Sequence, residues 1–251
     1  MKHICTAALL LAATLFATGC GSTNKSTPGQ AQGVFAGTTS SAVTFETIIL
    51  PNDTFYAIYG QTSGNVFSVQ GMVLGQGLSN NGKFNATITD FLGNGTTAGG
   101  SIAATYVKGS TISGTFAETG QNNVTFTGTA IAGSSFNYNT PALLSDIAGT
   151  TWGGTLQDGS FASVSINTDG TFSGTDSGCS FSGTVTPDSS GKNFFKVSLT
   201  YGASPCLLPN QTQTGIAVDY LLSDGVTRQL LAGVTSGTSN GTVFAATSNP
   251  K

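Results

Sequence analysis

From residue 32 onward the chain alternates. Short runs rich in β-branched and aromatic residues follow one another, and Gly, Asn or Asp breaks them at close intervals. Phe84-x-Ala86-x-Ile88 and Val197-x-Leu199-x-Tyr201 show the two-residue period of strands with one face turned inward. The breaks include Pro51-Asn52-Asp53, Asn80-Asn81-Gly82, Gly93-Asn94-Gly95, Asp158-Gly159, Asp169-Gly170 and Asp224-Gly225, all residues that suit tight turns. The pattern predicts an all-β antiparallel meander of hairpins. One short stretch suits a helix instead. Thr140 can cap it, Pro141 fits its first turn, Ala142-Leu143-Leu144 can pack, and Gly149 can end it.

The chain beyond that stretch echoes the chain before it. Val34-Phe35-Ala36-Gly37-Thr38 matches Thr151-Trp152-Gly153-Gly154-Thr155, and Thr54-Phe55 matches Thr171-Phe172 at the same offset. Val69 to Val73 resembles Phe181 to Val185, Gly82-Lys83 matches Gly191-Lys192, and Ile102-Ala103 with Tyr106 matches Ile216-Ala217 with Tyr220. Five matches in order, with drifting offsets, predict two diverged copies of one unit. Each copy has about eight strand candidates, enough to close a small barrel and remove its exposed edges. Consecutive short hairpins without long crossovers favour barrels over β-sandwiches. The expected partition is a leader over 1–19, a flexible tether over 20–31, a first β domain over 32–139, a short helical linker over 140–148 and a second β domain over 149–248.

The N-terminus sets the address. Met1-Lys2-His3 precedes an uncharged run from Ile4 to Phe16, long enough for a signal peptide and too short to span a bilayer. It ends in Ala17-Thr18-Gly19-Cys20, which resembles the lipobox of bacterial lipoproteins with Ala17 in place of the usual Leu. The resemblance implies cleavage before Cys20, palmitate and other acyl chains on that residue, and attachment to a membrane. The alternative is an ordinary signal peptide cut near Gly19. Gly21 stands where lipoproteins kept at the inner membrane tend to carry Asp, so the resemblance further implies the bacterial outer membrane, on its periplasmic or cell-surface face.

Charge and chemistry narrow the function. Charged residues make up 8% of the chain, about a third of the usual share. Without Lys2, seven basic residues face eleven acidic ones and no basic run exists, which argues against nucleic-acid binding. Cys5 leaves with the leader and Cys20 carries lipid, so Cys179 and Cys206 remain. In an oxidising compartment they predict one disulfide, contributing roughly 3 kcal/mol; two buried thiols are the alternative. The single histidine, His3, lies in the leader, so the mature chain lacks His-based catalytic triads and His-ligated metal centres.

Several motifs look like chemistry and fit geometry better. Ser22-x-x-Lys25 falls in the tether, and Gly93-x-Gly95-x-x-Ala98 lacks the helix that a dinucleotide site needs. Ser165 to Asp176 has calcium-loop spacing, but its Asp169-Gly170 also makes a hairpin turn. Glu46 and Asp219 fall mid-strand and are the carboxylates to watch for glycoside-hydrolase chemistry; solvated outward positions are expected for both. Trp152, Phe35, Phe55, Phe172, Phe194, Phe195, Tyr106 and Tyr220 suit barrel interiors.

Lipocalin- and avidin-like barrels carry Gly-x-Trp on their first strand. Gly33-Val34-Phe35 resembles a Phe version, and Gly149-Thr150-Thr151-Trp152 resembles it with one residue added. Tandem barrels on a lipid tether are also similar to transferrin-binding surface lipoproteins. Together these readings predict a non-enzymatic envelope lipoprotein without cofactor or bound metal. Its loops would bind a protein or envelope component; alternatively, a barrel lumen would carry a small apolar ligand.

Overall fold

The computed structural model describes residues 29–63, 66–131 and 136–248. The lipobox, Cys20 and the Ser22-x-x-Lys25 motif lie outside the described residues. Strands β1 (Gly33–Thr39), β2 (Thr44–Ile49), β3 (Thr54–Ser63), β4 (Val66–Asn80), β5 (Lys83–Leu92), β6 (Thr97–Val107), β7 (Thr111–Glu118) and β8 (Val124–Ala130) form one closed antiparallel barrel. A one-turn helix, α1 (Leu144–Ile147), follows. Strands β9 (Thr150–Leu156), β10 (Phe161–Ile166), β11 (Thr171–Asp176), β12 (Cys179–Pro187), β13 (Phe195–Tyr201), β14 (Thr212–Leu221), β15 (Arg228–Ser236) and β16 (Asn240–Ser248) close the second. Each strand pairs with its sequence neighbours, and β1–β8 and β9–β16 seal the seams. Barrels, not sandwiches, are therefore the outcome. No helix among the described residues is long and apolar enough to cross a membrane.

The seams explain one matched pair of glycines. A Cβ at Gly37 would collide with the Thr127 carbonyl, and one at Gly154 with the Ala245 carbonyl. Only glycine lets first and last strands approach so closely. Beside them, Phe35 and Trp152 are fully buried on the inner faces of β1 and β9, and the Trp152 indole N–H donates to the Ile147 carbonyl of α1 (2.9 Å). In both barrels the third strand's phenylalanine lies over a glycine across the ladder: Phe55 opposite Gly75, and Phe172 opposite Gly183. The fifth sequence match is out of phase. Counting registers from these pairs, Ala104 is the counterpart of Ala217, so Tyr106 faces a lumen while Tyr220 faces outward.

The outward faces of β2, β3, β4 and β5 do not all meet water. Ile58, Phe67, Met72 and Phe91 pack on Leu231 and Val243, while Val34 and Ile48 join Ile216 and Val218. The two barrels thus share an apolar interface that extends over both of these clusters.

The chain enters the first barrel at its lower end, which holds α1's counterpart, a folded strap. Gly29 donates its backbone N–H to Asp53 Oδ1 (3.0 Å), Ser79 donates from its backbone N to Asp53 Oδ2 (2.9 Å) and from Oγ to Asp53 Oδ1 (2.7 Å), and Ala31 is fully buried. Order therefore starts ahead of residue 32: Gly29–Ala31, placed in the tether by composition, plug the barrel. An apolar Ala31 and a buried carboxylate two strands away supply what the polar run itself lacks.

Candidate functional site

The second barrel holds a cavity of about 610 Å³. Its lower walls are apolar, from Ile166, Phe172, Val185, Val197, Ala217 and Leu230, and Ile147 of α1 closes the floor. Its polar lining comes from the other end, where loops surround a mouth: Gln157, Asp158, Asp176, Ser177, Asn240 and Thr242. Alternation puts Val197, Leu199 and Tyr201 of β13 on one inner face, and the six-residue β11 puts Phe172 low and Asp176 high.

Cys179 and Cys206 form a disulfide with Cα atoms 4.6 Å apart. It ties the start of β12 to the β13–β14 loop, so Pro205, Leu207 and Leu208 make a stapled lip at the mouth. Across from it, Gln157 donates to the Gly241 carbonyl (2.7 Å) and accepts from Val243 N (2.6 Å), extending the β9–β16 seam past its last backbone pair. Gly93 of the first barrel sits against the Gln157 carbonyl, so its β5–β6 turn leans over the same rim.

Within the upper lumen Tyr201 Oη lies 2.5 Å from Thr242 Oγ1 and donates to Gln213 Oε1 (3.2 Å). Gln213 is fully buried, and its Nε2 has no hydrogen-bond partner among the described residues. Burial pushes the Tyr201 hydroxyl up, with Asp176 and Asp158 adding to the shift.

The first lumen differs. Phe55 and Phe84 meet edge-on at 5.7 Å, and Phe45 and Phe126 do the same above them. The second pair's counterparts are Ala162 and Phe244, because Phe45 aligns with Gly37 and Gly128 as Ala162 aligns with Gly154 and Ala246. One of two crossing rings is missing from the second barrel. Near the first mouth Tyr59 donates to Asp90 (3.0 Å), whose carboxyl burial pushes up to about 6, helped by Glu118.

Neither of the two carboxylates singled out from sequence is freely solvated. Glu46 lies on the outer face of β2, but that face meets the second barrel, and Tyr220 Oη donates to Glu46 Oε1 at 2.6 Å. Burial pushes Glu46 up to about 7 against that hydrogen bond. Asp219 is 3% exposed, points inward at the closed end, and accepts from Arg228 Nε (2.7 Å), while Arg228 also pairs with Asp146 of α1 (3.1 Å). Glu46 and Asp219 thus belong to an interface and a floor, not to one cleft. The signal was present in Ile216 to Leu221, whose unbroken apolar character around Asp219 marks a strand buried on both faces.

The calcium spacing also resolves. Asp169 Oδ1 accepts from Thr171 N and Oγ1 at the floor-side turn, and Asp176 lies at the mouth, so the two acids do not converge. Among the described residues no group of three His, Cys, Asp or Glu is placed to hold a metal ion. Gly93–Gly95 is a turn closed by Leu92 and Thr96.

No protein-family profile and no curated sequence matches the chain. Among solved structures it is similar to the isotype 1 transferrin binding protein B of serogroup B Neisseria meningitidis, at 10% identity and a TM-score of 0.28, covering 83% of this chain and 65% of that one. It is also similar to a protein of unknown function from the DUF3598 family of Nostoc punctiforme, at 11% identity and a TM-score of 0.28, covering 88% and 97%. These are distant likenesses.

Proposed function

We propose that this chain is a lipid-anchored envelope protein, acylated on Cys20, whose second barrel carries a small apolar ligand. The observation that supports it is the lumen above Trp152. Its volume falls within the range of about 300–1,000 Å³ usual for ligand pockets, its walls are apolar, and its mouth is open between loops. The non-enzymatic reading rests on Glu46 and Asp219 lying in an interface and a floor rather than in one cleft, and on a mature chain without histidine.

The test is displacement of an uncharged apolar fluorophore, N-phenyl-1-naphthylamine. Wild-type protein should enhance its emission and saturate. Val234 lines the lumen where the first barrel has Phe116, so Val234→Phe should abolish the signal while leaving the fold intact. Equal binding by both proteins would refute the lumen as the site. A second reading, a protein partner held by the mouth loops, is favoured by Leu207, which is 93% exposed on the stapled lip. Crosslinking from intact cells that depends on Leu207 would support it. Incorporation of labelled palmitate that persists in Cys20→Ala would remove the anchor.

A further inference from the structure

We infer that the second lumen selects an uncharged amphiphile, held tail-down with one hydrogen-bonding group at the mouth, and excludes anionic ones. This rests on the carrier reading above and adds the ligand's charge and orientation to it.

Three observations carry it. First, lining polarity is segregated by height: the floor and lower walls are apolar, whereas Tyr201, Thr242 and the other polar lining residues all belong to the upper rim. A chain of methylenes gains by filling the lower part, and a polar head gains nothing there. Second, the upper cluster has hydrogen-bonding capacity to spare. Tyr201 and Thr242 line the lumen and share a proton, and behind them the fully buried Gln213 accepts from Tyr201 while its N–H₂ has no partner among the described residues. A neutral hydroxyl or carbonyl joins such a cluster at little cost.

Third, no cation among the described residues serves the lumen. The charged groups of its lining are Asp158 and Asp176, both at the mouth. Their oxygens accept hydrogen bonds from Ser160 and Ser177, which holds both carboxylates at the rim. The described basic residues sit at the opposite, closed ends: Lys83 and Lys108 beside lower turns of the first barrel, Lys192, Lys196 and Arg228 at the foot of the second. Arg228 is already engaged by Asp219 and Asp146, and Lys196 pairs with Asp188. A carboxylate or phosphate entering the mouth would meet two negative charges and find no counter-charge inside.

The test uses two ligands that share one tail. Dodecanol and dodecanoate compete for N-phenyl-1-naphthylamine at pH 8 on full-length protein held soluble by an amphipathic polymer too large to enter the lumen. Dodecanol should bind tighter by about ten-fold or more, and Asp158→Asn with Asp176→Asn should narrow the gap by raising dodecanoate affinity alone. Dodecanoate binding as tightly as dodecanol would overturn the inference while leaving the carrier reading standing. Failure of both to displace the probe, or displacement unchanged in Val234→Phe, would instead strike at the carrier reading, and the inference with it.

Discussion

Glu46 offers a sharp test of how the barrels hold together. Its carboxyl lies between the two domains, accepts from Tyr220 and titrates near 7 rather than the ordinary 4.5. The folded state therefore keeps a proton that the unfolded chain has released. Well below pH 4.5 both states are protonated and Glu46 costs nothing. As pH rises toward 7 the unfolded state is favoured, and above 7 the full penalty applies. The gap between 4.5 and about 7 corresponds to an upper value of roughly 3 kcal/mol. Partial solvent access at the interface rim should reduce it to about 1–2 kcal/mol. Glu46→Gln keeps an acceptor for Tyr220 and removes the charge. The variant should exceed wild type by only about a quarter of that amount at pH 5 and by the full amount at pH 8. The assay is urea unfolding across pH 5–8, followed by far-UV circular dichroism and by Trp152, the single tryptophan, which reports on the second barrel. Asp90 and Asp219 are also raised and also favour low pH, but both remain in the variant, so the difference isolates Glu46. Curves for the two proteins that stay parallel from pH 5 to 8 would refute the reasoning.

Other expectations concern single contacts. Asp53→Asn keeps the side-chain type that tolerates φ of 64° at that turn but turns a donor toward the N–H groups of Gly29 and Ser79; it should cost about 2 kcal/mol in urea unfolding. Gly154→Ala forces a methyl into the Ala245 carbonyl, so it should destabilise the second barrel by about 3 kcal/mol or prevent its folding, seen as loss of buried Trp152 emission. Cys179→Ser with Cys206→Ser should lower stability by roughly 3 kcal/mol and raise hydrogen exchange in the 202–211 loop before the strands. Trp152→Phe keeps an aromatic ring but removes the bond to Ile147 and leaves space where the rest of the indole was buried, for about 2–3 kcal/mol by thermal melt.

The strands, turns and two-barrel organisation were legible because alternation and Asp-Gly or Asn-Gly breaks are local signals. Cys179 and Cys206 were legible by counting. Glu46 was misplaced because its strand alternates like a half-wet one, and only a second domain against that outer face shields it from most of the solvent. The Ala103–Ala217 match was off by one because small residues recur too often in this chain to fix a phase. The lumen was not legible at all. Its room depends on which layer loses a ring, as Ala162 replaces Phe45, and composition is the same whether a barrel is filled or hollow.

The strap at Asp53 has one more consequence, about direction. It fixes Gly29 at the closed end of the first barrel, and Cys20 lies nine residues before it. A segment of that length reaches at most about 30 Å, however it is arranged. An acyl anchor on Cys20 would thus keep the lysine-bearing floors near the lipid headgroups and turn the acidic mouth into the surrounding medium. A vessel mounted this way would exchange its contents with molecules arriving from outside, rather than with the bilayer on which it stands.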